Sequence, residues 1–146
     1  MALERNREEL TARIVGNNRY PELFGKALFM QMPTGGMVIT VEVMGLPRER
    51  GFLGMHIHEV GDCRKPFDRT GGHYNPTGAA HPMHAGDLPP LLNNDGYAYM
   101  SFYDNRLQLN EILGKSIVIH SMRDDFTTQP AGGSGEKIAC GVIASM

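Results

Sequence analysis

Glycine and proline divide this chain into short segments, and that punctuation restricts its fold more than any other feature. Eighteen glycines and nine prolines are spread over 146 residues, and turn pairs such as Asn17-Asn18 and Gly35-Gly36 separate the apolar runs. Short runs that are bounded by turn residues indicate β-strands rather than helices. The predicted strands are residues 12–16, 24–32, 37–44, 52–59, 97–103, 115–120 and 137–143.

Two long segments interrupt this pattern. Residues 61–90 contain five prolines and no sustained periodicity, and residues 124–135 are rich in glycine. Long segments without secondary structure inside a compact domain are usually functional loops. Seven or eight short antiparallel strands with two such loops predict a β-sandwich or a Greek-key barrel. We expect a single domain over residues 1–146, with residues 1–11 forming a tail or a short helix.

The charge of the chain excludes some classes of partner. The formal net charge is −2 and the isoelectric point is near 6.3, so neither nucleic acid nor an anionic membrane is expected to bind. No apolar run approaches the roughly 20 residues that a membrane-spanning helix needs. The first residues lack the apolar stretch of a secretory signal, which predicts a cytoplasmic protein. A chain trimmed of its signal would instead be periplasmic or extracellular.

Three histidines fall on predicted strands. His56 and His58 are two positions apart, so their side chains lie on one face, which we expect to be the outward face. His120 ends the outward row of the strand at residues 115–120. A His-x-His pair or a lone histidine at a strand end is also an ordinary surface feature. These three residues therefore indicate a metal site only together with other ligands.

The loop at residues 61–90 offers such ligands. Three nitrogens and one oxygen suit a tetrahedral zinc ion. Within 15 residues the loop contains His73, His81, His84 and Asp87. A solvated loop that is merely rich in histidine is the alternative. The complete spacing, His-x7-His-x2-His-x2-Asp, favours the zinc site because it is far more specific than any of its parts.

Five separated motifs connect these residues to a known family. GMHIHEVGDC, GGHYNP, HAGDLPP, VIH and KIACGVI occur in the family's order between residues 54 and 143, and the chain resembles the copper–zinc superoxide dismutases. The resemblance implies an all-β fold, an eight-stranded antiparallel Greek-key β-barrel. It also implies an oxidoreductase that converts two superoxide anions and two protons to oxygen and hydrogen peroxide. The alternatives are a non-enzymatic copper-binding or copper-delivery module on the same fold, and a structural β-sandwich with vestigial metal sites.

The resemblance also implies two sets of metal ligands. The copper ligands would be His56, His58, His73 and His120. The zinc ligands would be His73, His81, His84 and Asp87. His73 would bridge both metals as an imidazolate and take part in catalysis. The chain departs from many family members in having only two residues between His81 and His84, which puts the affinity for zinc in question.

Other roles are implied in the same way. Asp124 matches an aspartate that hydrogen-bonds one histidine of each metal, and Asp125 is the competing candidate. Lys137 stands where the family usually has an arginine, keeps the positive charge, and would guide superoxide to copper. Arg123 is the next candidate for that role.

The two cysteines are the last feature that the resemblance interprets. Cys63 and Cys140 match the family's intrachain disulfide, although reduced thiols are the default state in a cytoplasm. A homodimer is compatible with the resemblance, which leaves the oligomeric state open.

Overall fold

The computed structural model describes residues 8–146, and these residues fold into one antiparallel sheet of nine strands. The spatial order is β4-β6-β7-β3-β2-β1-β9-β8-β5, and the all-β prediction is confirmed. The strands are β1 (Glu9–Gly16), β2 (Phe24–Gln31), β3 (Met37–Met44), β4 (Arg50–Leu53), β5 (Met55–His58), β6 (Leu91–Asn94), β7 (Tyr97–Asp104), β8 (Ser116–His120) and β9 (Lys137–Ser145).

The sheet closes almost completely into a barrel at Gly54. The strand predicted at residues 52–59 is divided there, so that β4 and β5 become the two opposite ends of the sheet. The Gly54 N–H donates to Met122 O, and Gly54 O accepts from the His120 N–H, both at 2.8 Å. A Cβ at this position would overlap the side chain of Ser134, so the close approach of the second long loop requires glycine.

The barrel core follows from the alternation of side chains along the strands. In β3, Met37, Ile39, Val41 and Val43 are fully buried, while the residues between them are only half-buried. Alternate residues of one strand point to opposite faces, so this strand contributes one row to the core and one row to the outer surface. The core is continuous and includes residues from every long strand.

Three short features differ from the sequence prediction. Strand β1 begins at Glu9, so the expectation of a tail or helix is wrong for residues 9–11, and residues 1–7 lie outside the described part. Strand β6 and a one-turn helix, α1 (Leu109–Ile112), were not predicted because four residues are too few to show a period. Among residues 8–146, no helix is long and apolar enough to cross a membrane.

The loop at residues 61–90 lies along the open edge of β5. The Ile57 N–H donates to Gly86 O at 2.8 Å, and Ile57 O accepts from the Tyr74 N–H at 2.7 Å. Isolated β-bridges also join His56 to Asp87 and His58 to His73. The loop therefore takes the place of a tenth strand at this edge.

A disulfide joins this loop to the barrel. Cys63, near the start of the loop, is bonded to Cys140 in β9, 77 positions further along the chain. Cys140 is fully buried and packs with Phe67 and Val118 in a small apolar cluster of its own. The bond therefore anchors the beginning of the loop to the wall of the barrel.

We expect that removing this disulfide lowers the melting temperature substantially. A closed loop of this length stabilises the fold by up to about 4.5 kcal/mol in the chain-entropy account, which for a domain of this size corresponds to roughly 9–18 °C. Calorimetry of the Cys63→Ser/Cys140→Ser variant tests this value. Thiol titration of the denatured, unreduced wild type should detect no free thiol, and two free thiols would contradict the bond.

Candidate metal centre

The three histidines on strands are buried, contrary to the expectation that they face outward. His56 and His58 are 0% and 2% exposed, and every residue of β5 is buried. The reason is the loop at residues 61–90, which covers the face that would otherwise be open to solvent. His120, at the end of β8, is buried in the same way.

The protein fixes the rings of these three histidines through their outer nitrogens. His58 Nδ1 donates to Gly71 O at 2.8 Å, and His120 Nδ1 donates to Gly135 O at 3.3 Å. His56 Nε2 donates to an oxygen of Asp124 at 2.8 Å. Each ring nitrogen that donates leaves a lone pair on the other nitrogen. The tautomers therefore turn three lone pairs toward a common point.

This arrangement fits a bound cation. His56, His58, His73 and His120 each offer one nitrogen, and these four nitrogens lie within 4.8 Å of one another. His58 Nε2 and His120 Nε2 are 3.3 Å apart although both carry lone pairs, and two acceptors cannot hydrogen-bond each other. His56 Nδ1 and His73 Nε2 are buried without a hydrogen-bond partner. Imidazole nitrogens in such a set suit copper.

A second group surrounds Asp87. His73 Nδ1 lies 2.7 Å from Asp87 Oδ1, His81 Nδ1 lies 3.0 Å from Asp87 Oδ2, and His84 Nδ1 lies 3.1 Å from Asp87 Oδ2. His73 Nδ1 and His84 Nδ1 are 3.2 Å apart. A tetrahedral zinc ion with nitrogen ligands separates neighbouring ligand atoms by about 3.3 Å. The three nitrogens and one oxygen therefore converge at spacings that suit zinc.

The set of residues whose ligand atoms all lie within 4.8 Å of one another around Asp87 differs from the predicted zinc set in one member. The residues of this set are His56, His73, His81 and Asp87. His84 is not a member, but its Nδ1 contacts both His73 and Asp87. The short link between His81 and His84 nevertheless allows both rings to reach the same carboxylate. His73 belongs to both groups, with Nδ1 toward Asp87 and Nε2 toward the other set.

Asp124 connects the two groups. Its Oδ2 accepts from His56 Nε2 at 2.8 Å, and its Oδ1 accepts from His81 Nε2 at 2.7 Å. Asp125, the alternative from the sequence, is exposed and instead accepts from the backbone of Thr127 and Thr128. One buried carboxylate thus orients one ring of each metal group.

Burial keeps His56, His58 and His120 neutral, which is the form of histidine that binds metals. It lowers the pKa of His56 and of His58 to about 2, and that of His120 to about 4. Burial alone would raise the pKa of Asp87, but the hydrogen bond from His73 and the neighbouring imidazoles hold it below its ordinary value. The site therefore presents neutral imidazoles at His56, His58 and His120 and an ionised carboxylate at Asp87.

A cavity of about 420 Å³ leads from solvent to the first group of histidines. Its wall includes His58, His120 and half-buried Lys137, whose ammonium donates to Thr70 Oγ1 at 2.7 Å. Burial lowers the pKa of Lys137 below its ordinary value. Arg123, the alternative cation, lines a different cleft beside Phe52 and Phe126.

Comparisons with known proteins agree with this geometry. The sequence model of copper/zinc superoxide dismutase (SODC) matches residues 23–143. The superoxide dismutase [Cu-Zn] of Deinococcus radiodurans is 38% identical over 145 residues, covering 84% of this chain and 78% of that protein. Superoxide dismutase [Cu-Zn] 2 of Aquifex aeolicus is 35% identical over 152 residues, covering 93% and 88%.

A solved structure also shares the fold. The crystal structure of the clock protein EA4 superposes with a TM-score of 0.84 at 27% identity, covering 96% of each chain. The resemblance stated from the sequence motifs is thereby confirmed, together with the copper and zinc cofactors that it implied. The chain belongs to the copper/zinc superoxide dismutase family.

Proposed function

We propose that the two histidine groups of this superoxide dismutase bind different metals, one copper and one zinc. His56, His58, His73 and His120 bind copper, and His73, His81, His84 and Asp87 bind zinc. Bound copper supplies one-electron transfer by alternating between Cu(II) and Cu(I), whereas zinc has no redox chemistry of its own. Two superoxide anions and two protons give one oxygen and one hydrogen peroxide.

The observation that carries this assignment is the set of unsatisfied nitrogens. His56 Nδ1, His73 Nε2 and His81 Nδ1 are fully buried and have no hydrogen-bond partner among the described residues. Buried polar atoms without a partner are rare and costly, because desolvation is not compensated. A metal ion on each side of His73 would satisfy all three.

His73 has a second role in the proposal. Its Nδ1 lies beside Asp87 among the residues that would hold zinc, so the ring would stay in place when its Nε2 is free of metal. Nε2 then takes up a proton and delivers it to the departing peroxide, which supplies one of the two protons that the product needs. The second proton comes from solvent through the cavity beside Lys137.

Elemental analysis together with a superoxide assay tests the proposal. We expect one copper and one zinc per chain and catalytic removal of superoxide. A copper-delivery module on the same fold would bind copper but would not turn over superoxide. The comparisons do not favour that alternative, and stoichiometric rather than catalytic consumption of superoxide would revive it.

Lys137 is proposed to guide superoxide along the cavity. The net charge of −2 repels an anion at long range, so a local positive field is needed near the copper-side histidines. Lys137 is half-buried in the cavity wall beside His58 and His120, where water screens its charge less than at an exposed position.

We expect Lys137→Glu to slow the reaction with superoxide by roughly 10-fold at low ionic strength, because local focusing changes association rates by at least that factor. The difference should shrink as salt is added, since the screening length is about 8 Å at physiological ionic strength. Rates measured against salt concentration test this. Lys26→Glu, on the outer surface, makes the same change of net charge, and equal slowing in both variants would contradict a local role.

The assembly and the compartment complete the proposal. We propose a homodimer, which is supported by large apolar and aromatic side chains that are exposed on the outer face of the sheet: Phe24, Tyr97, Tyr99 and Tyr103. Of the compartments that the sequence left open, the disulfide favours an oxidising one over the cytoplasm. Light scattering of the purified protein tests the homodimer. The thiol state of the protein in fractionated cells tests the compartment.

A further inference from the structure

Two side chains that reach neither metal group hold the loop of the zinc ligands from outside. Arg106 follows strand β7, and its guanidinium donates to His84 O at 3.2 Å and to Asp87 O at 2.5 Å. Hydrogen bonds from a charged donor are stronger than neutral ones, and the planar fork of arginine suits two acceptors at once. Arg106 therefore fixes the backbone at two zinc-side ligands that are three residues apart.

Arg106 is itself held in place. Buried Asp104, the last residue of β7, accepts from the backbone N–H groups of Arg106 and Leu107 at 2.7 and 3.1 Å. Its Oδ2 also lies 3.7 Å from the Arg106 guanidinium. The rigid end of a barrel strand thus determines the position of the arginine, and the arginine transmits that position to the loop.

Gln129 holds the remaining ligand of the loop. Its Oε1 accepts from the His81 N–H at 2.9 Å, and its Nε2 donates to His81 O at 2.7 Å. The amide thereby bonds both backbone groups of one residue, as a neighbouring β-strand would. Nε2 also donates to Thr127 O at 3.1 Å, which orients the amide within the second long loop.

We propose that Arg106 and Gln129 are positioning residues of the zinc subsite. This inference rests on the zinc-ligand set proposed above. The link of two residues between His81 and His84 has few backbone hydrogen bonds of its own: the Met83 N–H donates to Ala80 O at 2.8 Å, and the His84 N–H donates to Asp87 Oδ2 at 2.9 Å. Backbone hydrogen bonds on either side of the link fix the Cα–Cβ directions of His81, His84 and Asp87 before a metal binds. The subsite is therefore pre-organised by residues 19 to 48 positions away in the sequence.

Zinc binding to the metal-free, disulfide-bonded protein tests the proposal. Competition with a chromophoric chelator, with zinc as the only metal, measures the dissociation constant. Partners that orient metal ligands typically contribute 10–100-fold to metal affinity, so Arg106→Met and Gln129→Met should each weaken zinc binding by about that factor. Arg106→Lys should lie between Arg106→Met and wild type, because one ammonium cannot present the planar fork.

Substitution of cobalt(II) for zinc provides a readout of geometry. A tetrahedral cobalt(II) site absorbs visible light more strongly than a site of higher coordination number. At saturating cobalt(II), both methionine variants should lose tetrahedral intensity. Weaker binding with an unchanged saturated spectrum would mean that the side chains only stabilise the loop, and would overturn the proposal.

Matched controls separate this inference from the proposal on which it rests. Arg48→Met removes an exposed ion pair with Asp95. Gln31→Met removes a hydrogen bond from the side-chain amide to Gly36 O. Both positions lie away from the site. Both controls should bind zinc as wild type does. If wild type itself gives no tetrahedral cobalt(II) spectrum, the proposed zinc-ligand set is wrong. If wild type gives that spectrum and the Arg106 and Gln129 variants give the same spectrum and zinc affinity, the positioning role is wrong. If circular dichroism shows that Arg106→Met does not fold into the barrel, the zinc affinity and cobalt(II) spectrum of Arg106→Lys test the role of Arg106 instead.

Discussion

Replacing His58 by alanine should abolish dismutase activity, with a loss of more than about 100-fold, while the barrel and the zinc site remain. Residues that only orient a metal ligand contribute 10–100-fold, so loss of a direct ligand should cost more. His58 is a better choice than His56, because the ring of His56 also shares Asp124 with His81. The measurements are the activity, the copper and zinc contents, and the circular dichroism of the same sample.

The complementary variant is His84→Ala, on the other side of His73. It should lose zinc, keep copper, and retain more activity than His58→Ala, because copper supplies the electron transfer. If His58→Ala keeps full activity, or if His84→Ala is the more damaged enzyme, the division into a copper side and a zinc side is wrong.

The second large effect is expected at Asp124. Asp124→Asn keeps the shape of the side chain but replaces one oxygen by an amide donor, so it can accept from only one of the two rings that the carboxylate holds. We expect the affinity for zinc to fall by about 10–100-fold and the affinity for copper to fall as well. Competition with chelators for each metal, measured separately, gives both values.

Asp125→Asn is the matched control for this variant. The neighbouring carboxylate is exposed and accepts from the backbone N–H groups of Thr127 and Thr128, which an asparagine oxygen can also do. Metal affinities of Asp125→Asn should equal those of wild type. Equal losses in the two variants would show that the loop, and not the shared carboxylate, sets the affinities.

The strands were predictable wherever a core residue alternates with a surface residue, as in β3. Strand β6 and helix α1 were not, because each is four residues long. The division at Gly54 was not predictable either. Glycine is needed there because Ser134 approaches from a loop 80 positions away, and no local pattern records that contact.

The candidate site shows the same limit. The spacing of the histidines and Asp87 indicated a metal site, since ligands carry a recognisable chemistry. The burial of His56 and His58 was missed, because it depends on the path of a loop without periodicity. Arg106 and Gln129 were missed for a related reason: their contacts are with backbone atoms, and any loop sequence supplies the same backbone.

The loop along β5 has a consequence for self-association. An uncovered strand edge offers unpaired N–H and C=O groups to another chain, and proteins commonly protect such edges with a covering segment. Here that segment is hydrogen-bonded to Ile57. It also contains His73 and Asp87, which form β-bridges with the residues on either side of Ile57. Metals bound at His73 and Asp87, together with the Cys63–Cys140 bond, would therefore protect the edge as well as the reaction centre. A chain that has lost both presents β5 as a template, and strand-by-strand polymerisation between molecules should begin there.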